Sequence, residues 1–499
     1  MKARAGAEFG VIGCVLVLTA GAASAQPGLL KWAVDREFQS VAGPLEPTDH
    51  FSLDVILKAP AVVDRLVSVG TRRIDPGIQA MHVVVWSDQH QIVKEWVVAD
   101  HFMTGDIVAY GVDVAANKDI RVAGEYRDVT GAVGVFACRF DIVTDALVWS
   151  TGMLGEYHPP FQLWSISQPA VMIKELPNGD IVVGRTLEFG FSSPSQGVLT
   201  CLDAAGNFLW SNRYGDGVGA GRSVGFQDLA IAPAGSVVPP AGSIVVVGSF
   251  GSEGLTLNVD PTNGSMLWPM GAARYRYTSQ WRGIDFDPSS KDMFLAGVVT
   301  PQIDICSGPE LVAGRITPGT CGSPPSSNWL MTTPGLTFIP APSAIGFRRS
   351  ISGSTERVVI AGGTMCYDHA SGMVCDASTG IPVSVWTDRA GGANTYARTR
   401  DLAGSFYTFT AHTIGTRGIN GSSPAGVYVS AASCPTLVSV FPDALPIECQ
   451  VDDSIGVYPD ELLHPLMWTD ALPLSVEVYN CKAKIGGGTN EQGKIKVKW

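Results

Sequence analysis

The chain has 499 residues, of which 45% are apolar and only 16% charged, so it can bury a large core and does not have the composition of a disordered protein. Its formal net charge is −12, and it lacks a basic block apart from its last residues, which argues against nucleic acid as a partner. Gly 57 and Pro 32 punctuate short runs of Val, Ile, Leu, Thr, Phe and Tyr, a pattern that predicts many short strands joined by tight turns.

Residues 1–25 read as a signal peptide. Lys2 and Arg4 form the basic start, Val11 to Thr19 the apolar stretch, and Ala23-Ser24-Ala25 the cleavage site before Gln26. The apolar stretch is too short to span a membrane. Val11-Ile12-Gly13-Cys14 resembles a lipobox, but Glu8 leaves almost no apolar run ahead of it. No later segment reaches eighteen apolar residues, so no membrane span is expected and an extracytoplasmic location is, in the periplasm or at the cell surface.

From residue 26 to 433 the sequence repeats. Strings of similar build end at Trp96, Trp149, Trp210, Trp268, Trp329 and Trp386, with spacings of 53, 61, 58, 61 and 57 residues. About 25 residues before each Trp stands an apolar run ending in Gly: Leu66 to Gly70, Ile120 to Gly124, Asp180 to Gly184, Ile244 to Gly248, Met293 to Gly297 and Val358 to Gly362. Each unit reads as strand, turn, strand ending in Gly, loop, strand ending near Asp, turn with Gly, and strand carrying Trp. Four antiparallel strands make one blade of a β-propeller, and blades bury their faces on one another. A seventh unit begins at Thr395 and has no Trp at the expected place. Leu29 to Val34, with Trp32 standing 64 residues before Trp96, is the strand expected to complete it. The predicted fold is therefore an all-β, seven-bladed propeller of four-stranded blades closed by an N-terminal strand, with six blades as the alternative. Residues 434–499 are expected to form a small disulfide-tied C-terminal extension.

Nine cysteines remain after Cys14. The pairs Cys366–Cys375, Cys306–Cys321 and Cys434–Cys449 each flank a short turn or loop and are predicted as local disulfides, whereas Cys138 and Cys201 lie within apolar strands and are expected as buried thiols.

The string Leu202-Asp203-Ala204-Ala205-Gly206-Asn207-Phe208-Leu209-Trp210, following Asn178-Gly179-Asp180 and the run to Gly184, resembles the repeat of secreted bacterial seven-bladed propeller proteins. It is also similar to the tryptophan-docking repeat of quinoprotein-like (PQQ-like) propellers. The resemblance covers roughly residues 50 to 430 and implies the fold and export, but not one activity, since propellers host enzymes, binders and scaffolds. Quinoprotein dehydrogenases carry adjacent cysteines near the cofactor, and this sequence has no such pair. No cofactor is expected.

Several motifs invite a chemical reading. The turns Asp203 to Gly206, Asp260 to Gly264 and Asp376 to Gly380 offer carboxylates for calcium, but each supplies one or two oxygens and reads better as an Asp bonding its own backbone. Gly221-Arg222-Ser223-Val224-Gly225 fits G-x-S-x-G but precedes a strand, so it reads as a loop between blades. Gly488 to Lys494 nearly fits a phosphate loop, with Ile495 where Ser or Thr is needed, and reads as a hairpin turn. The lysines of Lys494 to Trp499 suit an edge strand. The histidines at 50, 82, 90, 101, 158, 369, 412 and 464 never pair at metal-binding spacing and are expected at the surface. Glu125, Glu188 and Glu253 follow repeat glycines and are expected on one rim, as solvated charges or as a site for a cation or basic partner. No residue is singled out as catalytic, cofactor-binding or metal-binding. The leading expectation is a secreted module that binds an extracellular protein or glycan. A hydrolase or lyase with its site at the propeller centre and a quinoprotein-like redox enzyme are the alternatives.

Overall fold

The apolar runs fold as strands because their β-branched and aromatic side chains pack on pleated surfaces, and the Gly, Asn and Asp clusters between them turn the chain. The computed structural model describes residues 48–59, 62–75, 78–87, 91–99, 106–115, 117–127, 133–154, 171–187, 194–215, 221–267, 272–275, 280–287 and 290–299, then the later strands named below and Ile455. The expected signal peptide and the strand at Leu29 to Val34 lie outside the described residues.

The first sheet holds β1 (Thr48–Ala59), β2 (Val62–Asp75), β3 (Ile78–Ser87) and β4 (Ile92–Val98). The second holds β5 (Ile107–Val114), β6 (Ile120–Arg127), β7 (Val133–Asp141) and β8 (Ala146–Leu154). The third holds β9 (Met172–Glu175), β10 (Ile181–Leu187), β11 (Gln196–Leu202) and β12 (Phe208–Gly215). The fourth holds β13 (Val224–Ile231), β14 (Ile244–Phe250), β15 (Glu253–Val259) and β16 (Ala272–Tyr275). The fifth holds β17 (Gln280–Phe286), β18 (Met293–Val299), β19 (Glu310–Ile316) and β20 (Trp329–Thr337), and the sixth β21 (Ala344–Arg349), β22 (Glu356–Asp368), β23 (Met373–Asp388) and β24 (Tyr396–Thr399). Each is an antiparallel meander in chain order. The first strands of successive sheets lie beside one another, β1 to β5 to β9 to β13 to β17 to β21, so the sheets radiate from shared inner strands as propeller blades do. A two-stranded pair, β25 (Ile414–Thr416) with β26 (Val427–Val429), follows, and β25 lies against both β21 and β1.

The C-terminal segment turns back along the blades. Here β27 (Asp443–Leu445), β28 (Cys449–Val451), β29 (Gly456–Pro459) and β30 (His464–Leu466) add a fifth, outermost strand to the fifth, fourth, third and second sheets in that order. The last pair is β31 (Glu477–Asn480) with β32 (Gly493–Lys496), and β31 lies beside β4 of the first blade.

All six runs ending in Gly lie on second strands, and the structure supplies a reason for the Gly. In the first, second, fourth and fifth blades the inner strand carries a register shift opposite that position, at His50/Ser52, Ala109/Gly111, Phe226/Asp228 and Trp281/Gly283. Such a bulge pushes a backbone carbonyl toward its partner strand. A Cβ on Gly124, Gly248 or Gly297 would lie 1.9 Å from Val108 O, 1.8 Å from Gly225 O or 2.1 Å from Gln280 O. The third blade has no such shift between β9 and β10, and a Cβ on Gly184 would meet only side-chain ends at 3.1 to 3.2 Å.

Trp96, Trp149, Trp210 and Trp329 stand on fourth strands, as expected. Two of them show how blades lock. Trp149 Nε1 donates to Ala204 O at 3.2 Å, and Trp210 Nε1 donates to Pro261 O at 3.0 Å, each reaching the turn between the third and fourth strands of the next blade. The rings lie over Gly206 and Gly264, whose φ angles of +83° and +72° favour glycine, and a Cβ there would meet Trp149 at 2.7 Å or Trp210 at 2.6 Å. Thr151 Oγ1 donates to Gly206 O at 2.6 Å and Tyr214 Oη to Gly264 O at 2.6 Å. The sixth unit departs from the predicted pattern. Trp386 lies on β23, a third strand, because β22 and β23 continue as one long hairpin and the Asp376–Gly380 stretch, predicted as a turn, is strand there. Trp268 lies outside the described residues.

The core sits between blades. Trp96 and Phe140 join the first two (ring centroids 5.3 Å), Tyr214 and Phe226 the third and fourth (5.6 Å), and Tyr275 and Trp281 the fourth and fifth (5.4 Å, edge to face). Cys138 and Cys201 are buried free thiols within this core. The cysteines of the three predicted disulfides have side chains outside the described residues.

Candidate functional site

The inner strands bring together charged residues from several blades. An innermost strand has one edge without a partner in its own sheet, so its outward N–H groups need acceptors. Carboxylates of the preceding blade supply them. Asp54 Oδ2 accepts from Val114 N at 2.7 Å, Asp113 Oδ2 from Glu175 N at 2.8 Å, and Asp228 Oδ2 from Ile284 N at 3.0 Å. Ser52 Oγ accepts from Val112 N at 3.3 Å in the same manner. Between the third and fourth blades the acceptor is instead a hydroxyl, with Phe226 N donating to Thr186 Oγ1 at 2.8 Å.

On β9 a cation joins these carboxylates, one residue before Glu175, which holds the register position of Asp54 and Asp113. Lys174 Nζ lies 2.8 Å from Asp113 Oδ1, and its side chain is 36% exposed. Burial alone would lower this ammonium's pKa, but the carboxylates of Asp113, Asp54 and Asp228 outweigh that and hold it above the usual lysine range. Lys174 is therefore a fixed cation among three carboxylates. Burial pushes Asp228 up to about 6, against the Ile284 N–H bond and the charge of Lys174, which lower it, and with Asp285 adding to the rise. Its Oδ1 also accepts from Leu229 N at 2.8 Å. Next to this cluster Arg121 Nη2 donates to Glu175 Oε1 at 2.8 Å, a further bond from the second blade to the third. The arrangement holds blades together, sets the lysine cation among carboxylates, and contains a carboxyl group that burial pushes up to about 6.

A second polar cluster lies within the first blade. His82 Nε2 is 2.9 Å from Glu95 Oε1, which also accepts from Arg72 Nη1 at 2.8 Å. His82 has no exposed surface, and burial lowers its pKa despite the hydrogen bond and charge of Glu95. This corrects the expectation that the histidines lie at the surface: β3 is a third strand with both faces covered, and Glu95 on β4 stands within reach. His50 and His464 are placed on β1 and β30, and the other five histidines lie outside the described residues.

The remaining motif residues fall as follows. Asp203 Oδ1 accepts from Ala205 N and Asn207 N, and Asp260 Oδ1 from Thr262 N, so both carboxylates bond their own turns. Ser223 precedes β13, is exposed, and accepts from Ser195 N at 3.1 Å. Glu125 lies near the end of β6 and Glu253 at the start of β15, on the rim where second strands end, and Glu253 Oε2 is 2.8 Å from Arg274 Nη1. Glu188 and most of Gly488 to Lys494 lie outside the described residues. Among the described residues no group of three or more His, Cys, Asp and Glu side chains is placed to hold a metal ion, and no helix is long and apolar enough to cross a membrane.

Sequence reasoning passed over Asp54, Asp113, Lys174, Asp228 and Asp285. A signal was present: Asp54 and Asp113 are 59 residues apart and Asp228 and Asp285 are 57 apart, the spacing of the repeat itself.

No family model matches the sequence. No curated protein matches it. Among solved structures it is similar to a fructan 1-exohydrolase IIa of Cichorium intybus, crystallised in complex with 1-kestose, at 10% identity over 85% of this chain and 96% of that one, with a TM-score of 0.29. At that score the likeness does not bear on fold, site or activity, and the propeller assignment rests on the sheets themselves.

Proposed function

We propose that this chain is an exported seven-bladed propeller that binds an extracellular protein or glycan through its loop faces. The position of β25 against both β21 and β1 supports a seventh blade that closes the ring. Lys2, Arg4, the apolar stretch and Ala23-Ser24-Ala25 support export. The observation that carries the binding reading is the use made of the central charges. Asp54, Asp113 and Asp228 each accept an N–H from the next blade, and Lys174 is paired with Asp113, so the converging polar groups serve the ring and the irregular loops hold the variable chemistry. The test is a binding screen of the mature secreted protein against glycan and protein arrays. A saturable ligand bound equally by the Asp228→Asn variant is the expected result. Turnover of an extracellular polymer that this variant abolishes overturns it.

The second reading is an extracellular hydrolase or lyase acting at the propeller centre, and one observation favours it. Asp228, with its pKa near 6 and a cation close by, is a carboxyl group that can give a proton near neutral pH. Under this reading the pH–rate profile follows a group titrating near 6, and Asp228→Asn removes the rate while leaving polymer binding in place.

A further inference from the structure

Four short strands of the C-terminal segment pair with the outer edges of the fifth to second blades. Asp443–Thr332, Ala444–Met331 and Leu445–Leu330 pair on the fifth blade, and Cys449–Tyr275, Gln450–Arg274 and Val451–Ala273 on the fourth. Gly456 to Pro459 pair with Gly215 to Asn212 on the third blade, and His464 to Leu466 with Leu154 to Gly152 on the second. All four pairings are antiparallel. On the second, third and fourth blades it touches only the last part of the fourth strand, and on the fifth the stretch Leu330 to Thr332 near the start of β20, so the segment steps back one blade at a time. The links enforce this. Three residues separate β27 from β28, and four separate each later pair. An extended chain spans at most about 3.5 Å per residue, so a four-residue link reaches a neighbouring edge and no farther.

Backbone pairing alone would accept almost any extended peptide, because every residue offers the same N–H and C=O groups. The structure adds a side-chain contact. Ile455, in the link between β28 and β29, is 2% exposed and joins the core cluster formed by Tyr214 and Leu199 of the third blade with Val224 and Phe250 of the fourth. Val457 packs against the same cluster. Ile455 thus fills a position between two blades at the point where the segment crosses from one to the other.

We infer that the outer rim of the second to fifth blades is a binding site for an extended peptide with an apolar anchor, occupied in cis by residues 443–466 with Ile455 as the anchor. The separate pairings are three or four residues long and weak singly. Joined in one chain they bind together, since engagement of one raises the effective concentration of the next. Loss of the anchor therefore loosens the flanking strands β28 and β29 as well.

The experiment uses the full chain with a specific protease site inserted after Ala432. The cut protein is exchanged through mild denaturant to release residues 433–499, and amide hydrogen exchange is followed at Asn212 to Gly215, Gly152 to Leu154 and Ala273 to Tyr275. Exchange at these amides is expected to accelerate at least tenfold on release. A synthetic peptide of residues 443–466 is expected to restore protection, and the same peptide carrying Ile455→Asp is expected not to. In the uncut protein, Ile455→Ala is expected to speed exchange along Asn212 to Gly215 with the inner strands unchanged. Exchange indifferent to release, or equal protection by the Ile455→Asp peptide, overturns the inference.

Discussion

Replacing Gly248 by alanine places a methyl carbon 1.8 Å from Gly225 O, well inside contact distance, and the obstructing atom belongs to the backbone of a bulged inner strand. Neither side can yield cheaply. The bulge is fixed by the pairing of Phe226 with Gly248 and Asp228 with Val247, and Asp228 in turn holds Ile284 of the next blade. Relief requires β13 to move from β14, with loss of ladder bonds and of the packing of Phe226 against Tyr214. Overpacking in a closed core costs about 1–3 kcal/mol when side chains absorb it, and a backbone clash of this depth belongs at or above the upper end, about 3 kcal/mol or more. Gly184 is the internal control. It occupies the same place in its blade, but β9 has no bulge, and its added methyl would meet Met172 Cε, Leu199 Cδ2 and Leu229 Cδ2 at 3.1 to 3.2 Å. Those ends can rotate by a few tenths of an ångström, so Gly184→Ala is expected to cost about 1 kcal/mol or less. Urea denaturation of the two variants, followed by tryptophan fluorescence and circular dichroism, measures both. Equal losses would refute the claim that the bulge, rather than burial, dictates glycine.

Trp210→Ala removes the Nε1 bond to Pro261 O and uncovers Gly264, and is expected to cost about 3 kcal/mol in the same denaturation assay, with Trp210→Phe intermediate because it keeps the ring and loses the donor. Asp113→Ala leaves Lys174 Nζ and Glu175 N without their acceptor and is expected to cost roughly 2 kcal/mol, moderated by the partial exposure of Lys174. Adding Lys174→Met to that variant is expected to recover part of the loss, and a double-mutant cycle reads the coupling. Stability against pH carries two opposed contributions. The lowered pKa of buried His82 means that the unfolded chain takes up protons first, so stability present above pH 6.5 is lost as the pH falls below it. The raised pKa of Asp228 means that the folded chain takes up protons first between about 6 and 3.8, so this group adds stability as the pH falls through that window. Asp228→Asn is therefore expected to steepen the acid loss, measured as denaturation midpoints at pH 7 and pH 5.

The blade was legible in the sequence because its signals are local and repeated. The second-strand glycines, the Asp-to-Gly turns at Asp203 and Asp260 and the fourth-strand Trp residues recur near 58 residues, and single contacts account for them: Gly248 answers to the carbonyl of a bulge, Gly264 to the ring of Trp210. The reading failed where the contact is not local. Asp113 looks like any strand-end carboxylate until β9 is placed beside it and Glu175 N appears opposite. Lys174 stands one residue from the register position that Glu175 fills, so a search for repeated residues passes over it. His82 reads as one isolated histidine among eight, since Glu95 and Arg72 reach it only across the strand pairing of the first blade. The C-terminal segment was hardest, because edge pairing is made by backbone and leaves little mark on side-chain sequence. Ile455 is its clearest trace, an apolar residue after Asp452-Asp453-Ser454 with no local reason to be buried. Its partners come from two blades about two hundred residues earlier, and it is buried only because those blades are already side by side. The repeat therefore specifies each blade by itself, while the inner-strand charges and the returning segment join one blade to the next. Function is to be sought among such non-repeating contacts, since a residue needed in every blade is explained by the blade.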